Sequence, residues 1–226
     1  MTLHTNQMSD SFRLGALLAS VGGFLDAYTY VARGQVFANA QTGNMVLMGL
    51  HLAEGDGKKA FSYFIPILAF MAGVFIDEWI KKKFCKTKLH WRQIVLLIEI
   101  AALFIVIFLP SGKSDLFANV LVSFVCSLQV QSFRKVHGLP YATTMCTGNL
   151  RSGTEHLVRY FQTKDSSYRK KFLPYYGIIF FFILGAGIGV PCTKYLGHSA
   201  VFISCVLLCF AFLMLFVGEK KTQTNE

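Results

Sequence analysis

Six long apolar stretches constrain this chain more than any other feature, because a soluble fold has nothing with which to cover them. They are residues 14–31, 60–80, 93–110, 116–133, 172–192 and 199–217. Each is close to the roughly 20 apolar residues that a helix needs to cross a bilayer core about 30 Å thick. Surface helices of soluble proteins show a polar face, and these stretches show almost none. The sequence therefore predicts an all-α membrane protein with six full transmembrane helices.

The charged residues agree with a membrane protein. They make up 15% of the chain, against about 25% in soluble domains. The formal net charge is +10, and the basic residues collect between the apolar stretches, as in loops that face the cytoplasm and its anionic leaflet. Membrane topology therefore explains the positive charge, and no nucleic-acid partner is expected.

Cysteine usage and the start of the chain exclude two further classes. The six cysteines lie mostly inside apolar stretches without regular spacing, so we predict no disulfide framework, no metal site and no other cofactor. Cys205 and Cys209 are one helical turn apart, but no histidine accompanies them, which favours small buried side chains. The first apolar run contains Gly22, Gly23 and Asp26 and lacks a cleavage site. It is therefore expected to stay in the mature protein.

An internal repeat organises the chain. The tripeptide Thr-Gly-Asn occurs at residues 42–44 and again at 147–149. Flanking landmarks keep the same order in both copies: Asp26 and Gln131, Arg33-Gly34 and His137-Gly138, Phe37-Ala38 and Tyr141-Ala142, Tyr63 and Tyr175, Gly73 and Gly185. Chance similarity between apolar segments is the alternative, but several ordered landmarks favour duplication. We predict one transmembrane domain over residues 1–226, made of repeats 12–110 and 116–217, with a cytoplasmic tail at 218–226.

The segments that follow the two tripeptides, residues 45–53 and 150–161, are too short to cross comfortably at 1.5 Å per residue. They are predicted to be re-entrant half-helices. Residues 81–92 contain six lysines and arginines and belong in the cytoplasm. If both short segments crossed, the basic residues at 169–171 would face outward. Re-entry leaves three crossings per repeat, which predicts an inverted-topology repeat, as in many transporters, with both termini in the cytoplasm.

The starts of the two half-helices predict a solute site near the midplane. A helix start leaves N–H groups unpaired and carries the positive end of the helix dipole. The threonines are expected N-caps, the glycines permit close approach and the asparagines offer a donor and an acceptor. An anion or a polar neutral solute suits such a site; the alternative is that the tripeptides only cap buried helix ends. The predicted substrate-binding residues are Asp26, Asn39, Thr42, Gly43, Asn44, Gln131, Thr147, Gly148, Asn149 and Arg151.

Ionisable residues within the apolar stretches carry separate predictions. Asp26 lies mid-span, where a carboxylate costs about 3 kcal/mol unless it is paired or hydrated. It serves either proton or cation coupling or the locking of helices by hydrogen bonds. Glu99 is interpreted as structural, and Asp77 as a surface partner of nearby lysines. Arg151 either holds an anion or belongs to the ordinary positive charge of a cytoplasmic surface.

A family resemblance rests on three motifs. Residues 22–28 (GGFLDAY), 34–37 (GQVF) and 42–44 (TGN) resemble the YoaK-like family of multi-spanning bacterial membrane proteins. The likeness covers nearly the whole chain, from about residue 12 to about residue 217. It implies several membrane spans and a location in the bacterial inner membrane. The family is a domain of unknown function, so the resemblance supplies no substrate.

Together these features predict a transporter or channel for a small molecule or ion, without enzymatic activity. The partners expected are the lipid bilayer and that solute, and the glycine-rich span faces would permit a homo-oligomer. One alternative is an intramembrane enzyme acting on a lipid or amphiphile, with Asp26 or His156 as the acid or base. The other is a membrane scaffold or regulatory protein, in which the polar residues only pack.

Overall fold

Eight α-helices account for nearly all of the computed structural model, which describes residues 8–84 and 91–223. The helices are α1 (Phe12–Ala32), α2 (Gln41–Ala53), α3 (Gly57–Phe84), α4 (Trp91–Ile107), α5 (Asp115–Ser132), α6 (Cys146–Thr163), α7 (Ser166–Leu196) and α8 (Phe202–Gln223). Two short strands, β1 (Lys135–Val136) and β2 (Leu139–Pro140), form an antiparallel hairpin between α5 and α6. The predicted cytoplasmic segments at 85–90 and 224–226, and the first seven residues, lie outside the described residues.

Four helical segments of the described chain are long and apolar enough to cross a membrane, judged by length and composition. They are Phe12–Ala32, Gly57–Phe84, Asp115–Ser132 and Ser166–Phe216. The last of these contains both α7 and most of α8, and α4 is shorter, with 17 residues. The all-α membrane class is therefore confirmed. Six separate crossings would require in addition that α4 crosses the membrane and that the turn between α7 and α8 divides the last segment into two crossings.

Capping side chains and glycines set several helix ends. The side chain of Ser11 accepts a hydrogen bond from the Leu14 amide at the start of α1 (3.3 Å). Asp165 accepts one from the Ser167 amide (2.8 Å), so α7 begins six residues before the predicted span. Two hydrogen bonds hold the pKa of Asp165 below its usual range. The one from the Ser167 hydroxyl has the larger effect, and the one from the Ser167 amide has the smaller effect. Gly197, with φ of +61°, ends α7.

One end of the bundle is organised around Arg33, which is fully buried. Its guanidinium donates to Leu109 O (2.7 Å) and to the Asp115 carboxylate (3.2 Å), which joins α1 to the turn between α4 and α5. It also donates to the Tyr28 hydroxyl (2.8 Å). That hydroxyl donates in turn to His198 O (2.9 Å), between α7 and α8. We call this the Arg33 end.

The opposite end is organised around Arg92. This side chain donates to Ser132 O (3.0 Å) and to the Ser9 hydroxyl (3.1 Å), which joins the start of α4 to the end of α5 and to the segment before α1. The amide of His137 donates to Asp10 O (2.8 Å), which adds the hairpin to the same end. We call this the Arg92 end.

The helices run between these ends in two opposite directions. α1 and α4 run from the Arg92 end to the Arg33 end, and α5 and α8 run back. α7 lies parallel to α1, because Cβ atoms placed at Gly177, Gly185 and Gly189 would meet Phe12, Ser20 and Phe24 in turn. α3 lies parallel to α5, because Gly73 faces Phe124 and Asp77 bonds Ser132.

The two halves of the chain use equivalent helix contacts. When α1 to α4 are matched with α5 to α8, the pair α1 and α7 corresponds to α5 and α3, and both pairs are in contact. The pair α2 and α3 corresponds to α6 and α7, and α4 with α5 corresponds to α8 with α1. α4 and α8 pack on each other. Each matched pair of long helices runs in opposite directions.

Glycines let α1 and α7 approach unusually closely. A Cβ atom at Gly185 would lie 2.1 Å from Ser20 O, and one at Gly23 would lie 1.9 Å from Phe182 O. Both clashes are with backbone atoms, which cannot move aside. The close contact of α1 and α7 therefore requires that Gly23 and Gly185 have no side chain.

Candidate functional site at the centre of the helix bundle

The loop between α1 and α2 turns back into the bundle. After α1 ends at Ala32, the Asn39 amide donates to the Asp26 carboxylate (3.0 Å), and the Asn39 side chain donates to Gly22 O (2.8 Å). Gly22 lies ten residues before the end of α1, which is about 15 Å at 1.5 Å per residue. Helix α2 therefore begins deep inside the bundle and not at the Arg33 end.

The loop between α5 and α6 does the same from the Arg92 end. Gln129 donates to the Thr143 hydroxyl (2.9 Å), and the Cys126 sulfur lies 3.6 Å from the Thr144 hydroxyl. The Thr144 methyl group lies against Gly22, where an added Cβ would be only 2.6 Å away. Both loops therefore reach Gly22 from opposite ends, and α6 begins at the same depth as α2.

Four side chains meet in this layer, and we call them the central polar cluster: Asp26, Asn39, Cys126 and Thr144. The Cys126 sulfur lies 3.8 Å from Asn39 O, which links the two halves directly. Every member is at most 8% exposed. The side-chain oxygen Oδ1 of Asn39 is buried without a hydrogen-bond partner in the structure. A buried polar atom of this kind is available to a bound solute.

The two motif asparagines hold the loops in place. The Asn44 side chain donates to Phe37 O (2.9 Å), seven residues earlier. The Asn149 side chain donates to Ala142 O (2.6 Å), also seven residues earlier, and accepts from the Ala142 amide (3.2 Å). Both are buried. The shared tripeptide therefore has the same structural role in both halves: its asparagine, in the first turn of α2 or α6, fixes the preceding loop by hydrogen bonds.

The expectation that the threonines are N-caps is wrong. Helix α2 begins at Gln41 with Ala40 as its N-cap, and α6 begins at Cys146 with Met145 as its N-cap, and neither cap makes a side-chain hydrogen bond. Thr42 and Thr147 lie one residue inside the helices and are exposed. The asparagines already fix the loops, so the local cap that the threonines would supply is not needed to start either helix.

Packing leaves room for a side chain at both motif glycines. A Cβ at Gly43 would make ordinary contact with Phe37 at 3.4 Å, and one at Gly148 would have nothing within 4 Å. Gly148 is exposed beside Thr147. Arg151 is also exposed, pairs with Glu155 at 3.1 Å, and lines a shallow groove on the outer face of α6. These residues lie apart from the central polar cluster.

Gln131 does not join the cluster either. Its side chain donates to Glu78 near the Arg92 end. The counterpart of Asp26 in the second half is Cys126, because Asp26 bonds Asn39 and Cys126 contacts Thr144, the equivalent loop residue. The match of Asp26 with Gln131 was wrong because it assumed loops of equal length. The second loop has 13 residues (133–145), five more than the first (33–40), and part of it forms the hairpin.

A histidine pair was missed from the sequence. His51 and His156 each follow their motif asparagine by seven residues. His51 stacks on Tyr63, with ring centroids 5.6 Å apart, and His156 stacks on Tyr175 at 6.1 Å. The two tyrosines had been matched as repeat landmarks, so the pattern Thr-Gly-Asn-x6-His was available as a longer signal. These stacks anchor α2 to α3 and α6 to α7.

Comparison with known proteins gives a family and one distant relative. Residues 14–214 match the family described as protein of unknown function (DUF1275). The chain is similar to the UPF0700 transmembrane protein YoaK of Bacillus subtilis (strain 168), with 26% identity over 148 residues. That match covers 63% of this chain and 65% of the relative, so it spans less than two thirds of the relative's length. No solved structure matches the chain.

Proposed function

The chain belongs to the DUF1275 family of proteins of unknown function, and from this premise we propose that it is a membrane transporter or channel for a small solute. The solute is an anion or a polar neutral molecule, and it binds at the central polar cluster. The observation that carries this proposal is the meeting of the two loops at Gly22, deep in an apolar bundle. Irregular backbone at membrane depth survives where it is buried in protein or lines a hydrated path.

The chemistry of the layer suits a polar solute. The first N–H groups of α2 and α6 lack partners within their helices, and both helix dipoles have their positive ends in this layer. Asn39 Oδ1 and Asn44 Oδ1 are buried acceptors without partners. A network that only locked helices together would satisfy its members, so these free acceptors favour solute binding over a purely structural role.

An inverted-topology repeat is part of the proposal. It is supported by the equivalent helix contacts in the two halves and by the opposite directions of the matched helices. It is also supported by the two asparagines that reach back seven residues. With six crossings, α2 and α6 are re-entrant helices that begin near the midplane and run to opposite leaflets, which is how many transporters build a central site. Helix α6 has 18 residues and is longer than the half-helix expected at residues 150–161, because it begins at Cys146, before the tripeptide.

Access from the Arg92 end supports an anionic solute. A cavity of about 780 Å³ opens there and extends to Met145, the N-cap of α6. Its lining includes the basic side chains Lys81, Arg92, Arg134 and Lys135. Basic residues gather on the cytoplasmic side of membrane proteins. We therefore propose that the Arg92 end and both termini face the cytoplasm, in the inner membrane of a bacterium.

The enzyme alternative is less well supported. It requires an acid and a base side by side, and Asp26 and His156 were its candidates. Asp26 accepts a hydrogen bond from Asn39, whereas His156 stacks on Tyr175 and lies tilted against Tyr168. Their separate surroundings favour transport over catalysis.

The proposal is tested by flux into proteoliposomes containing the full chain. The probes are radiolabelled acetate, phosphate, chloride, glycerol and urea, each compared with protein-free vesicles. Thr144→Val keeps the shape of a cluster side chain but removes its hydroxyl. Because a lost hydrogen bond of about 1.4 kcal/mol is a factor of about ten, we expect the flux of the transported probe to fall by about tenfold.

Thr193→Val is the matched control. Thr193 is a buried threonine of α7 whose hydroxyl has no hydrogen-bond partner in the structure. Its replacement should leave both flux and thermal unfolding unchanged. The proposal fails if none of the probes crosses faster with protein than without it, or if Thr144→Val transports as well as Thr193→Val.

A further inference from the structure

Among the described residues, no group donates a hydrogen bond to the buried carboxylate of Glu99. Its side chain is 0% exposed in the middle of α4, and neither carboxylate oxygen has a hydrogen-bond partner in the structure. The sequence predicts a structural role for Glu99. The absence of any bonded partner among the described residues leaves that role without support.

Asp77, on α3, is a second buried acid of the bundle. It was expected at the surface with the lysines, yet it is 0% exposed. Its Oδ1 accepts from the Ser132 hydroxyl, and its Oδ2 has no partner. Lys81, its expected partner, lies 3.9 Å from Glu78 instead. Asp77 lies within electrostatic range of Glu99, so three unpartnered carboxylate oxygens share one region of the bundle.

The charged and titratable groups around this pair do not neutralise Glu99. On α3, Glu78 and Lys81 lie beyond Asp77, and on α4 Arg92 is bonded to Ser132 and Ser9; Lys81 and Arg92 act on Asp77. On α5, Cys126 is within range of Glu99 and also of Asp26. The described side chains of α8 contribute Cys205 and Cys209, and the turn before it contributes His198. No cation among them is bonded to Glu99.

An unpartnered carboxylate in an apolar membrane interior takes up a proton in preference to remaining charged. Two neighbouring carboxyl groups cannot both ionise cheaply. We propose that Glu99 and Asp77 form the binding site for a proton that is coupled to solute movement. This inference rests on the proposed function, since it names the ion that would drive the same transporter.

The proton has a route in from the Arg92 end. Ser132 lines the cavity there and donates to Asp77. Asp77 is within electrostatic range of Glu99, and Cys126 is within electrostatic range of both Glu99 and Asp26. The proposed path for the proton therefore runs from the cavity through Asp77 and Glu99 toward the central polar cluster. Glu99 can release its proton only when water or another proton acceptor reaches the carboxyl group. The charge state of Glu99 therefore depends on whether the bundle is open at this point.

Infrared spectroscopy of the purified full chain in lipid nanodiscs tests the proton site without a known solute. At pH 7 we expect a band from a protonated carboxyl group that is absent in Glu99→Gln and retained in Glu155→Gln. Glu155 is an exposed acid paired with Arg151, and it is the matched control. If Glu99→Gln does not fold, ¹³C-labelled glutamate in the wild-type protein should shift the same band. A glutamate carboxyl band that survives Glu99→Gln, or the absence of any carboxyl band that shifts with labelled glutamate, overturns the proposal.

Proteoliposomes that enclose a pH-sensitive dye test the coupling. With the transported probe added outside, we expect acidification inside for the wild type and only the protein-free background for Glu99→Gln. Exchange of labelled for unlabelled probe should persist in Glu99→Gln. Probe movement driven by sodium, with an ionised Glu99, overturns the proton proposal and leaves transport intact. A proton on Glu99 with no movement of any probe leaves the site standing as a proton-binding site but overturns coupling and the proposed function together.

Discussion

Arg33 shows how a charged side chain can be completely buried in an apolar bundle. Its guanidinium has hydrogen bonds to three backbone carbonyls of the α4–α5 turn region, to the Tyr28 hydroxyl and to Asp115. Arginine suits this position because its planar group offers five donors in a fixed arrangement. Arg33 thereby holds together the end of α1, the end of α4 and the start of α5, and through Tyr28 also the turn between α7 and α8.

We expect Arg33→Met to destabilise the protein strongly, because it leaves buried carbonyls unpaired and Asp115 without its partner. Breaking such a pair costs about 3–5 kcal/mol. The measurement is thermal unfolding in detergent. Arg151→Met is the matched control: its side chain is 82% exposed in a surface pair, so it should change stability by less than about 0.5 kcal/mol. Equal unfolding temperatures for the two variants would contradict the network.

Contact between α1 and α7 depends on positions that lack a Cβ atom. Gly185 touches the α1 backbone, whereas Gly187, two residues further along, has nothing within 4 Å. The same glycine-rich run therefore contains one position that packing requires and one that it does not. Sequence spacing alone marks both as equivalent small residues, because the direction of each depends on how α7 is rotated against α1.

We expect Gly185→Ala to destabilise the bundle by about 3 kcal/mol or to prevent its assembly, because the added carbon meets backbone that cannot repack. Gly187→Ala should be neutral or slightly stabilising, since alanine favours a helix over glycine. Gel filtration and thermal unfolding of the two purified variants provide the comparison. If Gly185→Ala is as stable as Gly187→Ala, the two helices are not in the close contact described here.

At the scale of the whole molecule, the opposed directions of matched helices decide where the connecting turns lie. The turn between α2 and α3 contains Gly55, and the turn between α6 and α7 contains Asp165; both residues are exposed. Re-entrant half-helices leave these turns on opposite sides of the membrane.

We expect a peptide tag inserted after Gly55 to be accessible in intact spheroplasts, from which the outer membrane has been removed, and one after Asp165 to be accessible only after the inner membrane is also opened. A tag after Lys113, in the turn between α4 and α5, is the control and should behave like the one after Gly55. Antibody labelling of both cell preparations gives the answer. Tags at Gly55 and Asp165 on the same side would rule out the inverted repeat, because one of the short helices would then cross.

Much of this molecule follows from local properties of the chain. Length and apolarity decide that these segments are membrane helices, because burial in a bilayer depends on each segment's own composition. The tripeptides predicted two helix starts, and Asn44 and Asn149 lie in the first turns of α2 and α6. The helix starts at Gln41 and Cys146 were missed because hydrogen bonds from the asparagines, rather than a local cap, hold the preceding loops.

The sequence by itself determined the all-α membrane class and the existence of a helix at each Thr-Gly-Asn tripeptide. Only the tertiary structure decided where particular side chains lie: Cys126, and not Gln131, takes the place that corresponds to Asp26 in the second half, and Asp77 is buried within electrostatic range of Glu99. The reason is that these contacts depend on loop lengths and on helix rotation. Five extra loop residues or a small rotation of a helix change the partner of a side chain without changing any local pattern.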